Sequence, residues 1–334
     1  MSILRIPHVF NSHISLVLPP LHRYSGFMNR SCRGFPAIPV RLIPVLAVLA
    51  AAVLMAGCSP RKESRTVRDT LRIVSLSPAA TSILHDLSLT ESLVGIDRWS
   101  APPQGGPDGL AVFDMINPDA ERVMALEPDI IFVSSMTRDA TGRDPFKPFS
   151  ERGMAVHYIP VSDSLDAIRR DVRFIAEACG VPESGESLVG AMDAVLRRIF
   201  RAAATIPEEK RKRVYFEIGA GSKLYSFGSG VYLDELVCTA GGKNIFAGEY
   251  GWIAVHAEQI LARDPEIILT NVPDAGAVAE ILSRPGWDAL KAVRERHVYA
   301  IDHGASSQPA PAVIRALEEI ARILHPDVFT GEEK

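Results

Sequence analysis

The hydrophobic pattern of the chain changes near residue 71, where short apolar runs begin to alternate with amphipathic segments. Apolar runs rich in β-branched residues predict strands at residues 71–76, 93–96, 129–133, 155–160, 214–218, 266–270 and 298–301. Helical spacing with capping or stop signals predicts helices at residues 77–87, 165–179, 183–204, 232–240 and 312–324, and others starting at 117–118 and 258. Residues 97–116 lack a clear period and predict a long loop. Alternating strands and helices predict an α/β fold with parallel sheets.

One segment of the pattern occurs twice. Residues 121–132 read ERVMALEPDIIF, and residues 258–269 read EQILARDPEIIL. The offset, 258 − 121 = 137 residues, is the size of a typical domain and far exceeds a solenoid period of about 20–50 residues. The repeat therefore predicts two similar lobes, each with a glutamate, Glu121 or Glu258, at the start of an equivalent helix.

The predicted elements group into two Rossmann-like lobes, residues 71–182 and residues 207–334, joined by a single long helix at residues 183–206. Ligands of open parallel sheets bind outside the carboxyl ends of the strands. We therefore expect a ligand cleft between the two lobes, lined by the loops that follow the strands.

The N-terminal region has the pattern of an export signal. Arg30, Arg33 and Arg41 precede an unbroken apolar run, residues 42–56, which ends shortly before Cys58. The run is shorter than the roughly 20 residues of a comfortable membrane span, although a transmembrane anchor is the alternative interpretation. Met28 is an alternative start, since the segment before it is long for a signal. Residues 59–70 are polar and aperiodic, which predicts a tether after the signal.

Composition limits the possible functions. The net charge of −4 over 334 residues, with no basic stripe, does not favour a nucleic acid partner. Cys179 and Cys238 are too few for a disulfide scaffold, and their apolar neighbours predict buried small hydrophobic side chains. Among residues 219–230, the glycine spacing departs from a dinucleotide-binding pattern and indicates loop flexibility instead. The sequence contains no recognisable motif for nucleophile activation or for a zinc site, so we expect neither an enzyme nor a bound cofactor.

Candidate ligand-binding residues follow the predicted strands, where cleft loops are expected. They are Ser77, Pro78, Trp99, Phe113, Ser134, Tyr225, Phe227, Tyr250, Trp252 and His303. Two of the three tryptophans, Trp99 and Trp252, fall in predicted cleft loops, and aromatic faces suit a large flat ligand. The third, Trp287, is expected to be structural. Tyr225 and His303 are weaker candidates to ligate a metal or a haem iron.

Several motifs, in this order, carry a resemblance to a known family. They include RIVSLSPAATSI at residues 72–83, GIDRW at 95–99, LDELVCTAGGKNIF at 233–246 and RPGWDAL at 284–290, together with the repeat. With these motifs the chain resembles the substrate-binding proteins of ABC importers, in the group for vitamin B12, ferric siderophores or haem. The resemblance covers residues 71–326, essentially the whole region after the tether.

The resemblance implies particular roles for some residues. Cys58 after Ala-Gly resembles the lipobox of a bacterial lipoprotein, which implies cleavage before Cys58, its lipidation and an envelope location. Glu121 and Glu258 match the glutamates that each lobe offers to arginines of the membrane permease, which works with ATPase subunits. His256 replaces the serine or threonine usual at the cap of the second repeat helix, so capping there is expected to be weaker or differently made.

The ligand is expected to be a metal-containing small molecule. A corrinoid is favoured by the two cleft tryptophans and by the lack of an arginine cluster in the candidate loops, since anionic ferric siderophores tend to recruit arginines. Haem is an alternative ligand, and the residues that support it are Tyr225 and His303. A lipoprotein enzyme or a metal-binding module is the alternative from another class.

Overall fold

The computed structural model describes residues 71–100, 106–141, 144–221 and 223–329. The predicted signal, residues 1–57, and the predicted tether, residues 58–70 with Cys58, lie outside the described residues. Within these residues, no helix has both the length and the hydropathy that crossing a membrane requires.

The first half of the described chain forms a five-stranded parallel sheet, which with its helices we call the N-terminal lobe. Its strands are β1 (Ile73–Leu76), β2 (Leu93–Asp97), β3 (Ala111–Phe113), β4 (Ile130–Ser134) and β5 (Ala155–Ile159). They lie in the order β3-β2-β1-β4-β5, so the winding reverses between β1 and β4. The helices are α1 (Pro78–Asp86), α2 (Ala120–Met124), α3 (Ser135–Thr141), α4 (Lys147–Ser150) and α5 (Leu165–Ala178). Such a reversal point is where open parallel sheets bind ligands.

A single helix, α6 (Pro182–Ala203), connects this sheet to the second half of the chain. Its 22 residues span about 33 Å at 1.5 Å per residue. Proline at its first position fits because that residue needs no intrahelical hydrogen bond. Its buried stripe is Val189, Met192, Leu196, Ile199 and Ala203.

The second half, which we call the C-terminal lobe, contains two sheets. Strands β6 (Arg213–Glu217), β8 (Lys243–Asn244), β10 (Ile267–Thr270) and β11 (Val298–Ala300) form a parallel sheet in the order β11-β10-β6-β8, whereas β7 (Leu224–Phe227) and β9 (Trp252–Val255) pair antiparallel. The helices are α7 (Tyr232–Thr239), α8 (Ala257–Arg263), α9 (Ala277–Ser283), α10 (Lys291–Arg294), α11 (His303–Ser306), α12 (Val313–Leu324) and α13 (Pro326–Phe329). Short 3-10 turns lie at Thr90–Ser92, Glu208–Lys210 and Trp287–Ala289.

The largest apolar core runs through both lobes. It joins Phe132 of the first sheet, Leu196 of the connecting helix and Phe216 of the second sheet into one buried cluster. Two smaller clusters cover the outer faces, one around Val74 in the N-terminal lobe and one around Trp287 in the C-terminal lobe. The prediction that Trp287 is structural is therefore confirmed.

The parallel sheets, the helices that alternate with their strands and the long connecting helix confirm the predicted fold class. Four strands, β3, β7, β8 and β9, were not predicted. Strand β3 lies in the predicted loop 97–116, and it has only three residues, two of which are not buried. Strands β7 and β9 also lie in predicted loops, and they pair with each other rather than with the parallel sheet. The first repeat helix starts later than predicted, because Asp119 rather than Asn117 is its cap and accepts the N–H of Arg122 at 3.0 Å.

The prediction of buried cysteines was wrong for Cys238, whereas Cys179 packs partly buried against the main core. Cys238 is exposed on α7, and Cys179 is half-buried at the end of α5. Both follow apolar neighbours, but each lies on the more exposed side of its helix end. Burial nevertheless raises the pKa of the Cys179 thiol to about 12, so this thiol stays protonated at neutral pH.

Candidate functional site

At the carboxyl edge of the N-terminal sheet, the residues after β1 and β2 form the surface where the sequence predicts the ligand cleft. Ser77 is buried, and its Oγ accepts the N–H of Ala80 at 3.5 Å as the cap of α1. Pro78 is half-exposed beside it. Trp99, two residues after β2, leaves 66% of its surface exposed. Trp99 and Pro78 therefore offer apolar surface here, whereas the hydroxyl of Ser77 is occupied by capping.

Two other N-terminal candidates are buried. Phe113 packs in the outer core of the lobe with the Arg122 guanidinium 5.0 Å from its ring centroid. Ser134 is buried at the end of β4, and its Oγ accepts the N–H of Met136 at 3.3 Å. Neither side chain presents accessible surface. Phe113 was predicted to lie in a cleft loop, but that part of the loop is in fact the edge strand β3.

Two arginines also lie at this edge. Arg98, beside Trp99, pairs with Asp114 at 3.0 Å, and Arg138 lies 5.0 Å from the ring centroid of Tyr158. The two guanidinium groups are thus engaged by different partners. They do not form the cluster that would mark a site for a strongly anionic ligand.

In the C-terminal lobe, the β7–β9 pair carries an aromatic face. Tyr225 and Phe227 are two residues apart and so lie on the same side of β7. They pair with Ala254 and Trp252 of β9, respectively. Trp252 lies edge-on to Phe227 and to Tyr232, with ring centroids 6.1 Å apart in each case. Trp252 is 49% exposed and Tyr225 46% exposed, whereas Phe227 is fully buried. Phe227 therefore supports Trp252 from below instead of presenting its own surface.

The glycines of this region were predicted to provide flexibility, but two of them serve close packing. A Cβ at Gly228 would lie 2.3 Å from the carbonyl oxygen of Glu249. A Cβ at Gly230, where φ is +78°, would lie 2.4 Å from the ring of Tyr250. Tyr250 is 78% exposed, so the missing side chain of Gly230 lets this ring lie against the backbone.

Replacing Gly230 tests this packing. We expect Gly230→Ala to lower the free energy of unfolding by about 1–2 kcal/mol, because a left-handed backbone disfavours a Cβ even after Tyr250 has moved aside. Urea unfolding measures the loss. Gly248→Ala is the matched control, since nothing lies within 4 Å of a Cβ there, and it should change stability little. Equal losses in the two variants would contradict the assignment.

A hydrogen-bonded chain connects the other loops of the C-terminal lobe. Tyr232 Oη donates to the carbonyl of Ser306 at 2.8 Å, and Asn271 Nδ2 donates to Ser306 Oγ at 3.1 Å. His303 Nδ1 lies 2.6 Å from the carbonyl of Asn271. Because a carbonyl only accepts, Nδ1 carries the proton, and Nε2 of the neutral ring keeps a free lone pair. This exposed ring thus has a fixed tautomer and one nitrogen suited to a metal.

The sequence reasoning missed the supporting role of Tyr232. The apolar spacing of α7 predicted its helix but not that its first residue would lie beneath Trp252. Among the described residues, no group of three or more His, Cys, Asp or Glu side chains is placed to hold a metal ion.

The repeated glutamates occupy equivalent places. Glu121 lies in the first turn of α2 and Glu258 in the first turn of α8, and both are exposed. A carboxylate at a helix N-terminus is stabilised by the helix dipole. At α8 the carboxamide of Gln259 accepts the N–H of His256 at 2.9 Å, so the helix start is capped differently from a serine cap, as expected.

Comparison with known proteins identifies the fold and the family. A model of the family described as "Periplasmic binding protein" matches residues 73–305. The chain belongs to this family. Its members bind solutes and are not enzymes, which confirms that part of the prediction. The resemblance to the substrate-binding proteins of ABC importers for vitamin B12, siderophores or haem is likewise confirmed.

Curated relatives extend over most of the chain. YvrC of Bacillus subtilis, named as an ABC transporter substrate-binding lipoprotein, is 27% identical over 85% of this chain and 96% of its own. A vitamin B12-binding protein of Vibrio parahaemolyticus is 24% identical over 75% of this chain and 87% of its own.

Solved structures share the two-lobed fold. The haem-binding protein RhuT of Roseiflexus sp. RS-1 superposes with a TM-score of 0.65 at 23% identity, over 78% of this chain and 99% of that one. The molybdate-binding protein MolA of Haemophilus influenzae gives 0.68 at 23% identity, over 80% and 90%. Proteins named for different ligands thus share the architecture, and the architecture alone does not identify the ligand.

Proposed function

We propose that this periplasmic binding protein captures a corrinoid between its lobes and delivers it to an ABC permease and its ATPase subunits. One observation carries the proposal. Both lobes offer exposed aromatic side chains at loops and strands around the carboxyl ends of their sheets, Trp99 in one and Tyr225, Tyr250 and Trp252 in the other. Large flat ligands are held by such faces with a few polar groups between them.

Two alternatives within the family rest on specific residues. Haem is supported by the free Nε2 of His303 and by the phenol of Tyr225, both on the C-terminal lobe. A ferric siderophore is supported by Arg98 and Arg138, but these guanidinium groups already have partners. The aromatic surfaces on both lobes favour the corrinoid over either.

Ligand-dependent stability tests the proposal. The soluble form from about residue 70 onward would be heated with cobalamin, cobinamide, haemin and a panel of ferric siderophores. Binding to the native state alone stabilises it by RT ln(1 + [L]/Kd), about 2.7 kcal/mol at a hundredfold excess over Kd. We expect a rise in the apparent Tm with a corrinoid, and a much smaller rise in Trp252→Ala. Trp252 stands at the centre of the aromatic face, whereas Phe200→Ala removes an exposed ring of the connecting helix and is the control.

The opposite results would redirect the proposal. No shift with either corrinoid would remove the first choice of ligand. A shift with haemin that is lost in His303→Ala would favour haem instead.

We further propose that residues 1–57 are a cleaved export signal, that Cys58 carries the lipid anchor and that residues 58–70 form the tether. The proposed lobes are residues 71–182 and 207–334, with residues 183–206 between them. Several acyl chains at about 0.8 kcal/mol per buried CH₂ would hold the protein durably at the membrane. Cys58→Ala should move the protein from the membrane fraction to the soluble fraction. Unchanged fractionation would contradict the anchor, and Cys179→Ala controls for loss of a thiol.

A further inference from the structure

A fully buried carboxylate lies directly beneath the loop that carries Trp99. Asp97 ends strand β2 and has no exposed surface. Its Oδ1 accepts the backbone N–H of Trp99 at 2.8 Å and that of Ser100 at 3.0 Å. Its Oδ2 accepts the hydroxyl of Ser100 at 2.6 Å. The Asp97 carboxylate therefore accepts three hydrogen bonds from the first turn of the chain after β2.

The same carboxylate is connected to the neighbouring strand and helix. Ser100 Oγ lies 3.0 Å from Thr81 Oγ1 on α1, and Thr81 Oγ1 lies 2.8 Å from Ser75 Oγ on β1. Thr81 Oγ1 also donates to the carbonyl of Ser77, the cap of α1, at 3.2 Å. All of these residues are buried. The network thus fixes the Trp99 turn relative to the start of α1, where Pro78 offers the adjacent apolar surface.

Two further contacts hold the turn from its other side. The N–H of Arg98 donates to the carbonyl of Phe113 at 2.9 Å, and the Arg98 side chain pairs with Asp114. Trp99 itself projects with most of its ring exposed. Its backbone is therefore held on both sides while its ring stays available.

Burying a carboxylate is unfavourable, and burial raises the pKa of Asp97 while the hydrogen bonds from Ser100 and Trp99 oppose that rise. The opposing donors are the groups of the turn itself. A carboxylate placed this way stabilises the turn through charge-assisted hydrogen bonds, which are stronger than neutral ones. A core that needed only to be filled would have used an apolar side chain at this position.

We propose that Asp97 is the positioning residue of the ligand site, which holds Trp99 in the orientation that receives the ligand. This inference rests on the proposed function. Asp97 does not touch the ligand, and its effect on affinity passes through Trp99.

A double-mutant cycle on affinity separates this role from a general structural one. The full-length protein in mild detergent would be titrated with cobalamin, or with whichever compound of the panel stabilises it. Asp97→Ala should weaken binding about tenfold in the native background, but less than about twofold in a Trp99→Ala background. Equal losses in the two backgrounds would overturn the proposal, because Asp97 would then act independently of Trp99.

A conservative variant and a matched control sharpen the cycle. Asp97→Asn keeps an oxygen for the two N–H groups and should restore affinity to within about threefold of the native protein. Asp171 is another buried carboxylate of the same lobe, bonded to Ser162. Asp171→Ala should lower stability without changing affinity. If Asp97→Ala does not fold, Asp97→Ser replaces it, since its hydroxyl is too short to reach both N–H groups.

A ligand-free readout keeps this inference distinct from the proposed function. The fluorescence anisotropy of Trp99, taken as the difference between each protein and its Trp99→Phe counterpart, reports motion of the ring. It should fall in Asp97→Ala and recover in Asp97→Asn. If no compound of the panel binds the native protein, the proposed ligand class fails, and the anisotropy alone decides the role of Asp97. Unchanged anisotropy in Asp97→Ala would overturn that role.

Discussion

Replacing Arg284 by alanine is expected to lower the free energy of unfolding by about 3–5 kcal/mol, because it leaves a buried charge without its partner. Arg284 donates to both carboxylate oxygens of Glu217, at 2.9 and 3.1 Å, and Glu217 is 1% exposed. The guanidinium also lies 4.2 Å from the ring centroid of Trp287. Burial raises the pKa of Tyr215 well above its usual range, so its hydroxyl stays protonated and donates to Glu217 at 3.1 Å.

Urea unfolding measures the loss, and a surface pair provides the control. Arg173 pairs with Glu186 where both side chains are substantially exposed, and Arg173→Ala should cost about 1 kcal/mol or less. The double variant Glu217→Gln with Arg284→Met should recover part of the loss, since it removes both charges. If Arg284→Ala were as mild as Arg173→Ala, Glu217 would have to be solvated, contrary to the structure. Glu217 ends β6, so the pair also fixes the strand that precedes β7, which carries Tyr225.

The second large effect is expected on transport rather than on binding. The double variant Glu121→Ala with Glu258→Ala should abolish uptake while leaving ligand affinity unchanged. The two carboxylates are exposed in first helical turns, one on each lobe, and so suit a partner with two equivalent basic sites. Exposed ion pairs contribute only about 0.2–1 kcal/mol each, so their expected role is orientation and association rate.

Uptake of labelled ligand by cells, together with equilibrium affinity of the purified variant, measures both parts. Glu183 is an exposed glutamate in the first turn of the connecting helix, and Glu183→Ala should change neither quantity. A loss of ligand affinity in the double variant would place Glu121 and Glu258 in the ligand site. Normal uptake would show that the permease does not need them.

The sequence was sufficient for elements that carry a strong local pattern. Strand β1 is buried along its whole length, and α5 has apolar residues at helical spacing after a serine cap, so both were predicted to within a few residues. The repeat predicted two equivalent glutamate helices. Its second helix is capped by a carboxamide three residues on, which accounts for the histidine at the usual serine position.

Elements made by distant pairing were not predictable in this way. Strands β7 and β9 are separated by a helix and a short strand, and only their pairing brings Phe227 beneath Trp252. A local pattern does not distinguish a buried, supporting ring from an exposed one, so Phe227 and Trp252 were both predicted to contact the ligand. Asp97 was overlooked for the same reason, because its role depends on the turn that folds back over it.

The corrinoid site is tested most directly by a calorimetric titration of the soluble form with cobalamin, compared between the native protein and the double variant Trp99→Ala with Trp252→Ala. We expect one cobalamin bound per chain, with affinity at least about a hundredfold lower in the double variant, since one aromatic face is lost on each lobe. Stoichiometric binding of haemin or a ferric siderophore, with no heat from cobalamin or cobinamide, would show that the site does not serve a corrinoid.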